Sequence, residues 1–141
     1  MIEVRKLEER ELPGAMELVW AVFQRFEAPE YSAQGVETFQ TYIQNMEQVK
    51  TLVTYGAYTD GRLAGVLALR GDHISLFFIR EEAQGRGIGR ALFQYAAARA
   101  GRPMTVHSSP YAVEIYRRLG FVPTAEEQVE DGIRYTPMRL E

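Results

Sequence analysis

One stretch has residue types and spacing suited to chemistry: Gln84-Gly85-Arg86-Gly87-Ile88-Gly89-Arg90-Ala91. Its alternating glycines lack Cβ atoms, so a ligand can come close to the main chain. An unbroken apolar run, Ile74 to Ile79, precedes it, and a helix-like segment, Ile88 to Ala100, follows. In a strand, glycine turn and helix, the unpaired N–H groups of the first helical turn face the turn, and the helix dipole favours negative charge there. Arg86 and Arg90 add full positive charges. The expected ligand carries phosphate, against the alternative of a turn with no ligand or arginines that only solvate a helix surface.

The spacing narrows the ligand. A P-loop needs G-x-x-x-x-G-K-[ST], and no Lys-Ser or Lys-Thr pair follows these glycines. A dinucleotide fingerprint needs G-x-G-x-x-G, but Gly87-Ile88-Gly89 continues as Arg90-Ala91-Leu92 and lacks the third glycine.

The elements that must position this turn are readable from periodicity. Ile2 to Leu7 alternates as a strand, and Leu12 to Phe26 carries a helical stripe on Met16, Val19, Trp20 and Phe23. Ser32 is placed to cap a second helix bearing Val36, Phe39 and Ile43. Thr51–Tyr58 and Leu63–Leu69 flank Asp60-Gly61, a hairpin signal. Beyond the turn helix, Met104 to His107 is a short strand. Ser109 is a good N-cap and Pro110 suits a first helical position. Ala112, Ile115, Tyr116 and Leu119 form one apolar face, Gly120 is placed as C-terminal cap, and Phe121 restarts extended structure. Glu130-Asp131-Gly132-Ile133 predicts a hairpin joining Phe121–Val129 to Arg134–Leu140. The order is βααβββαβαββ: an α/β (α+β) fold with a mixed, mostly antiparallel central sheet flanked by about four helices, in one domain over 1–141.

The Q-x-x-G-x-G pattern on Gln84, Gly87 and Gly89 resembles motif A of the GCN5-related N-acetyltransferases, the GNAT family. The segment Val106 to Val122 resembles that family's motif B region almost position for position, in the family's order, and the likeness covers roughly residues 50 to 140. The resemblance implies acetyl-CoA as co-substrate and transfer of an acetyl group to a primary amine on a small molecule, peptide or protein. It implies that the backbone of Phe77, Phe78 and Ile79, next to a bulge in that strand, pairs with the pantetheine arm. Gln84, Gly85, Arg86, Gly87, Ile88, Gly89 and Arg90 would hold the pyrophosphate. Tyr116 takes the role of general acid: a phenol, pKa about 10, can protonate a departing thiolate of pKa about 8.5 without being ionised at neutral pH. Its position equally fits a core tyrosine. His107 and Ser108 stand where many relatives carry asparagine; Ser108 is a candidate pantetheine contact, and His107 a candidate contact or base, against a histidine satisfied at a strand end. The strand Ile74 to Ile79 has no carboxylate to act as base. The resemblance places the Phe26-to-Tyr31 loop at the acceptor pocket, making Phe26, Glu27 and Tyr31 candidate acceptor contacts and Glu27 a candidate base.

Composition restricts the classes. The chain has 141 residues, net charge −3, 46% hydrophobic residues and no cysteine. The charge argues against nucleic acid as a partner. No apolar run approaches a membrane span and Met1 to Lys6 is not a signal core, so a cytoplasmic location without membrane contact is expected. Without cysteine there is no thiolate metal site and no covalent acyl-cysteine; direct attack in a ternary complex is expected. The two histidines have no zinc-type spacing, so no metal is expected. Many members of the resembled family pair as dimers, so a homodimer is compatible with it. The rival reading is a non-catalytic acyl-CoA-binding sensor or regulatory module.

Overall fold

The hairpin at Asp60-Gly61 sets the register of the largest part of the sheet. Both residues adopt left-handed backbone, φ 52° and 77°, and Thr59 pairs with Arg62 across a two-residue turn. In this computed structural model, which describes residues 1–141, the chain runs β1 (Ile2–Lys6), α1 (Leu12–Phe26), α2 (Ala33–Gln44), α3 (Met46–Val49), β2 (Val53–Thr59), β3 (Arg62–Arg70), β4 (His73–Ile79), α4 (Ile88–Ala100), β5 (Met104–Ser108), α5 (Val113–Arg118), β6 (Val122–Pro123), β7 (Gln128–Glu130) and β8 (Ile133–Leu140). The strands form one eight-stranded sheet in the order β1-β2-β3-β4-β5-β8-β6, with β7 also on β8. Only β4 and β5 pair in parallel.

The apolar faces sort the helices onto the two sides of the sheet. Leu18, Val19 and Phe23 of α1 pack with Val66, Ala68, Leu76 and Phe78 on one side. Leu92, Phe93 and Ala96 of α4 pack with Tyr55, Leu67, Leu69 and Phe121 on the other, joined by Tyr116 of α5. α2 is held to α1 by the stacked rings of Phe23 and Phe39, 4.0 Å apart. Ser32 caps α2 as expected, its Oγ accepting from the Gly35 N–H at 3.2 Å.

The expected single strand Phe121–Val129 divides into β6 and β7, because Pro123 has no N–H to continue the ladder and an acidic stretch, Glu126-Glu127, follows. α3 is an additional turn of helix, capped by the Asn45 side chain, which accepts from the Gln48 N–H at 3.3 Å. The expected continuous helix after Ser109 begins instead with a 3₁₀ turn, Pro110–Ala112, before α5. Three residues per turn shift the phase of the stripe. Ile115, expected on the buried face, is therefore exposed while Tyr116 is buried.

β4 carries a bulge and then leaves its neighbour. Ile74 pairs with Leu69 and Leu76 with Ala68, so Ser75 is the extra residue. Across it the faces exchange: Ile74 joins the core under α4, Leu76 and Phe78 the core under α1. On the other edge, pairing with β5 stops after His73↔Thr105 and Ile74↔Val106. Beyond that the strands diverge.

Candidate functional site

The divergence of β4 from β5 leaves backbone groups without a strand partner. The Arg80 N–H bonds to the Ala64 carbonyl at 2.8 Å, so by alternation Phe78 and Leu76 also face β3, while Phe77 and Ile79 direct their N–H and C=O groups outward. The Ile79 carbonyl is taken by the Gln84 side-chain amide at 3.0 Å. Gln84 thereby ties the strand end to the glycine turn.

Gly85 and Gly87 adopt φ 78° and 81°, conformations that open the turn and that side chains resist. α4 then starts at Ile88, its first-turn bond running from the Ala91 N–H to the Gly87 carbonyl. The N–H groups from Gly85 through Arg90 have no acceptor in the protein. Together with the helix dipole they suit an anion. Gly89 sits where a Cβ would lie 3.7 Å from Ile79 and Phe77, facing the open strand edge. Arg90 and Arg118 also line this cleft, and neither is in an ion pair.

The cleft, about 410 Å³, runs between the glycine turn, β4 and α5, and Phe77, Phe78, Ile79, Gln84, Gly85, Gly87, Gly89 and Arg90 line it. Arg86, exposed, and Ile88, 2% exposed in the core, are not among the cleft's lining residues. Ser108 is buried and donates to the Ser109 carbonyl at 2.9 Å, away from both hollows. Tyr111, Arg118 and Leu119, inside the Val106–Val122 segment but not singled out there as site residues, also line it. Phe26 stacks on Tyr111 at 5.1 Å, bridging α1 to the 3₁₀ turn before α5.

A second hollow, about 300 Å³, lies on the opposite side of α5's first turns and contains Glu27, Tyr31, Phe39, His107, Ser109 and Tyr116. Glu27, Phe77, Phe78, Ala112 and Tyr116 line both hollows. The Tyr116 ring is held between Phe77, 6.1 Å away, and Phe121, 5.5 Å away. Burial, and to a lesser degree the nearby Glu27 carboxylate, raise its phenol well above the usual range. Burial likewise pushes the Glu27 carboxyl up to about 7; the neighbouring Ser109 hydroxyl opposes this and Glu30 adds to it. The Ser109 Oγ lies near the Glu27 carboxyl without closing a well-formed hydrogen bond, and it does not cap the following turn. Tyr31 donates to the Arg134 carbonyl at 3.3 Å, and burial raises its phenol as well.

His107 is exposed at the outer end of this hollow, its ring stacked on Tyr135 at 4.4 Å. The fold brings His73 against it, ring centroids 4.8 Å apart, because β4 and β5 are paired there. Burial holds His73 down to about 4, with His107 and Arg70 contributing. Burial also lowers His107. Of the aromatic residues on the first helices, Tyr31, Phe39 and Tyr42 reach the hollow; Phe23 is core.

Comparison with known proteins agrees with this geometry. A family model described as the acetyltransferase (GNAT) domain matches residues 27–141. Over 69 residues the chain is 33% identical to the peptidyl-lysine N-acetyltransferase YjaB of Salmonella typhimurium, a match covering 48% of each. It is 32% identical to YjaB of Escherichia coli over 48% of this chain and 47% of that protein. By these matches the chain spans about half the length of the curated relatives. Among solved structures, a GCN5-related N-acetyltransferase from Rhodopseudomonas palustris superposes with a TM-score of 0.82 at 22% identity, over 99% of this chain and 94% of that one. PaiA N-acetyltransferase from Thermoplasma acidophilum, solved with coenzyme A, superposes at 0.75 and 18% identity, over 100% and 99%. These likenesses establish the fold.

Proposed function

Because the chain belongs to the GNAT acetyltransferase family, we propose that it moves an acetyl group from acetyl-CoA to a primary amine by direct attack. The observation that carries this reading is the meeting of the two hollows at Glu27 and Tyr116. A donor in the first and an acceptor in the second would share one wall of reactive groups.

The fit to the donor rests on the free N–H groups of Gly85 to Arg90 and on the outward backbone of Phe77 and Ile79. The first suits the pyrophosphate; the second can pair with the amide-bearing arm as an added strand would. Gln84 lines the cradle and positions it by donating its amide to the Ile79 carbonyl. Acetyl-CoA, when bound, supplies an acyl group activated as a thioester.

The remaining work falls to the chain's own side chains. An amine is protonated near neutral pH and must lose a proton before it attacks. Glu27, with a carboxyl near 7, is matched to take that proton at Oε. As the C–N bond forms and the C–S bond breaks, the sulfur needs a proton, and Tyr116, which lines both hollows, is suited to donate it from Oη. Burial makes the phenol a weaker acid, but it also raises a thiolate formed in the same dry site, so both anions are disfavoured together. The curated relatives are peptidyl-lysine N-acetyltransferases by name, which agrees with a primary-amine acceptor.

Thiol release from acetyl-CoA across an amine panel tests the reading, and turnover with at least one primary amine is expected. Tight CoA binding with no turnover on any amine would favour the sensor instead. Displacement of CoA by ATP or NAD at comparable concentration would remove the donor assignment.

A further inference from the structure

The second hollow has electrically different ends. Its inner end holds Glu27, Tyr116 and the unpartnered hydroxyl of Ser109. Its outer end holds Arg70, His73 and His107. Arg70 closes β3 and pairs with His73 across the turn, while His107 lies two residues beyond Thr105, the partner of His73 on β5. His73 Nδ1 is tied to Thr105 Oγ1 at 2.8 Å, which fixes the ring. Arg70 has no ion-pair partner in the protein; Asp72 and Glu130 are the carboxylates whose fields reach the histidine pair. Between the two ends the walls are mainly apolar, with Phe39, Ile74, Phe77, Phe78 and Val106, and they include the unpartnered Ser75 hydroxyl.

The hollow is walled on one side by a clasp between elements. The tip of the β7–β8 hairpin is clasped to the α1–α2 region: Thr38 donates to the Asp131 carbonyl at 2.8 Å, Tyr31 to the Arg134 carbonyl at 3.3 Å, and Arg134 to the Glu30 carbonyl at 3.0 Å. Gly35 and Gly132 meet backbone to backbone, leaving no room for a side chain on either. A volume of about 300 Å³ lies at the low end for small-molecule pockets.

We propose that the acceptor is a small primary amine carrying an anionic group roughly 10 Å from its nitrogen, a span set by the four residue steps of bulged strand from His73 to Phe77 less the reach of the side chains. Arg70 supplies the fixed cation and a planar donor fork, with the two imidazoles as neutral hydrogen-bonding groups beside it. The inference rests on the acetyltransferase reading for the amine end and on Arg70, His73 and His107 for the anionic end.

The test compares aminooctanoate and aminooctyl phosphate with octylamine and with a lysine peptide whose termini are blocked. Wild type should favour one of the anionic amines over octylamine in kcat/KM by about tenfold or more, and the better of the two names the anion. Arg70→Gln should bring that ratio close to one, and Arg70→Glu should shift preference to diaminooctane, with acetyl-CoA affinity and thermal unfolding as controls on the fold. Equal kcat/KM for octylamine and both anionic amines overturns the proposal, as does a ratio that survives Arg70→Gln or a peptide that outperforms every small amine. The chain has only two histidines, so their imidazole NMR signals give a readout independent of turnover. Signals that move with the anionic amine but not octylamine, in a protein that acetylates nothing, would keep the anion site and sink the acetyltransferase reading. Acetylation of all amines alike with unmoved signals would do the reverse.

Discussion

Glu27 carries two opposed consequences of one environment. Its carboxyl is pushed up to about 7 from 4.5, chiefly by burial, so the folded chain binds that proton more tightly than the unfolded chain. The stability this contributes is complete below the unfolded value and is lost as pH rises through about 7. Glu27→Gln should therefore unfold at a higher temperature than wild type above neutral pH, by on the order of 2 kcal/mol, with the gap closing in acid. The same variant should be slower, and its pH–rate profile should lose the limb near pH 7; a profile that keeps that limb removes the base role. Tyr116→Phe separates chemistry from packing in the same way. The ring stays between Phe77 and Phe121, so stability and acetyl-CoA affinity should hold, while the acyl-transfer rate drops by about a hundredfold. An unchanged rate would leave Tyr116 as a core residue only.

At the scale of elements, the glycine turn divides into parts with different tasks. Gly87 is needed for its backbone, φ 81°, so a side chain there strains the fold as well as the cradle. Gly89 is helical, with ordinary van der Waals room for a Cβ. Gly89→Val should keep the melting temperature within a few degrees and lose acetyl-CoA binding by about tenfold or more in a calorimetric titration, because the side chain projects toward Phe77 and Ile79. Unaltered affinity would move the ligand off this edge.

The same elements show what a sequence can carry. The turn, the hairpins at Asp60-Gly61 and Asp131-Gly132, and the α1 and α4 stripes are legible because their signals are local: backbone sign, capping and period. Ile115 is misplaced by the stripe because a 3₁₀ turn resets the phase upstream. Arg70, His73 and the Ser75 bulge are silent because their meaning arises only when β3, β4 and β5 lie side by side. Tyr111, in the 3₁₀ turn, and Arg118, at the end of α5, enter the cleft only once that segment packs against β4, which no spacing in the chain encodes.

The whole molecule is a sheet in two halves, β1–β4 and β5–β8, joined edge to edge through His73↔Thr105 and Ile74↔Val106. A ligand arm seated along Phe77 and Ile79 would supply the partner that β5 withholds. Acetyl-CoA at a hundred times its dissociation constant should stabilise the protein by about 2.7 kcal/mol, and hydrogen exchange should slow most at the Phe77 and Ile79 amides. Uniform slowing without that local maximum would place the ligand elsewhere. The gap between β4 and β5 then reaches beyond the reaction. Opened chains are the ones that proteases cut, and their number would fall as the donor fills the gap. The rate at which a protease cuts the purified protein should therefore fall as acetyl-CoA or CoA fills the gap.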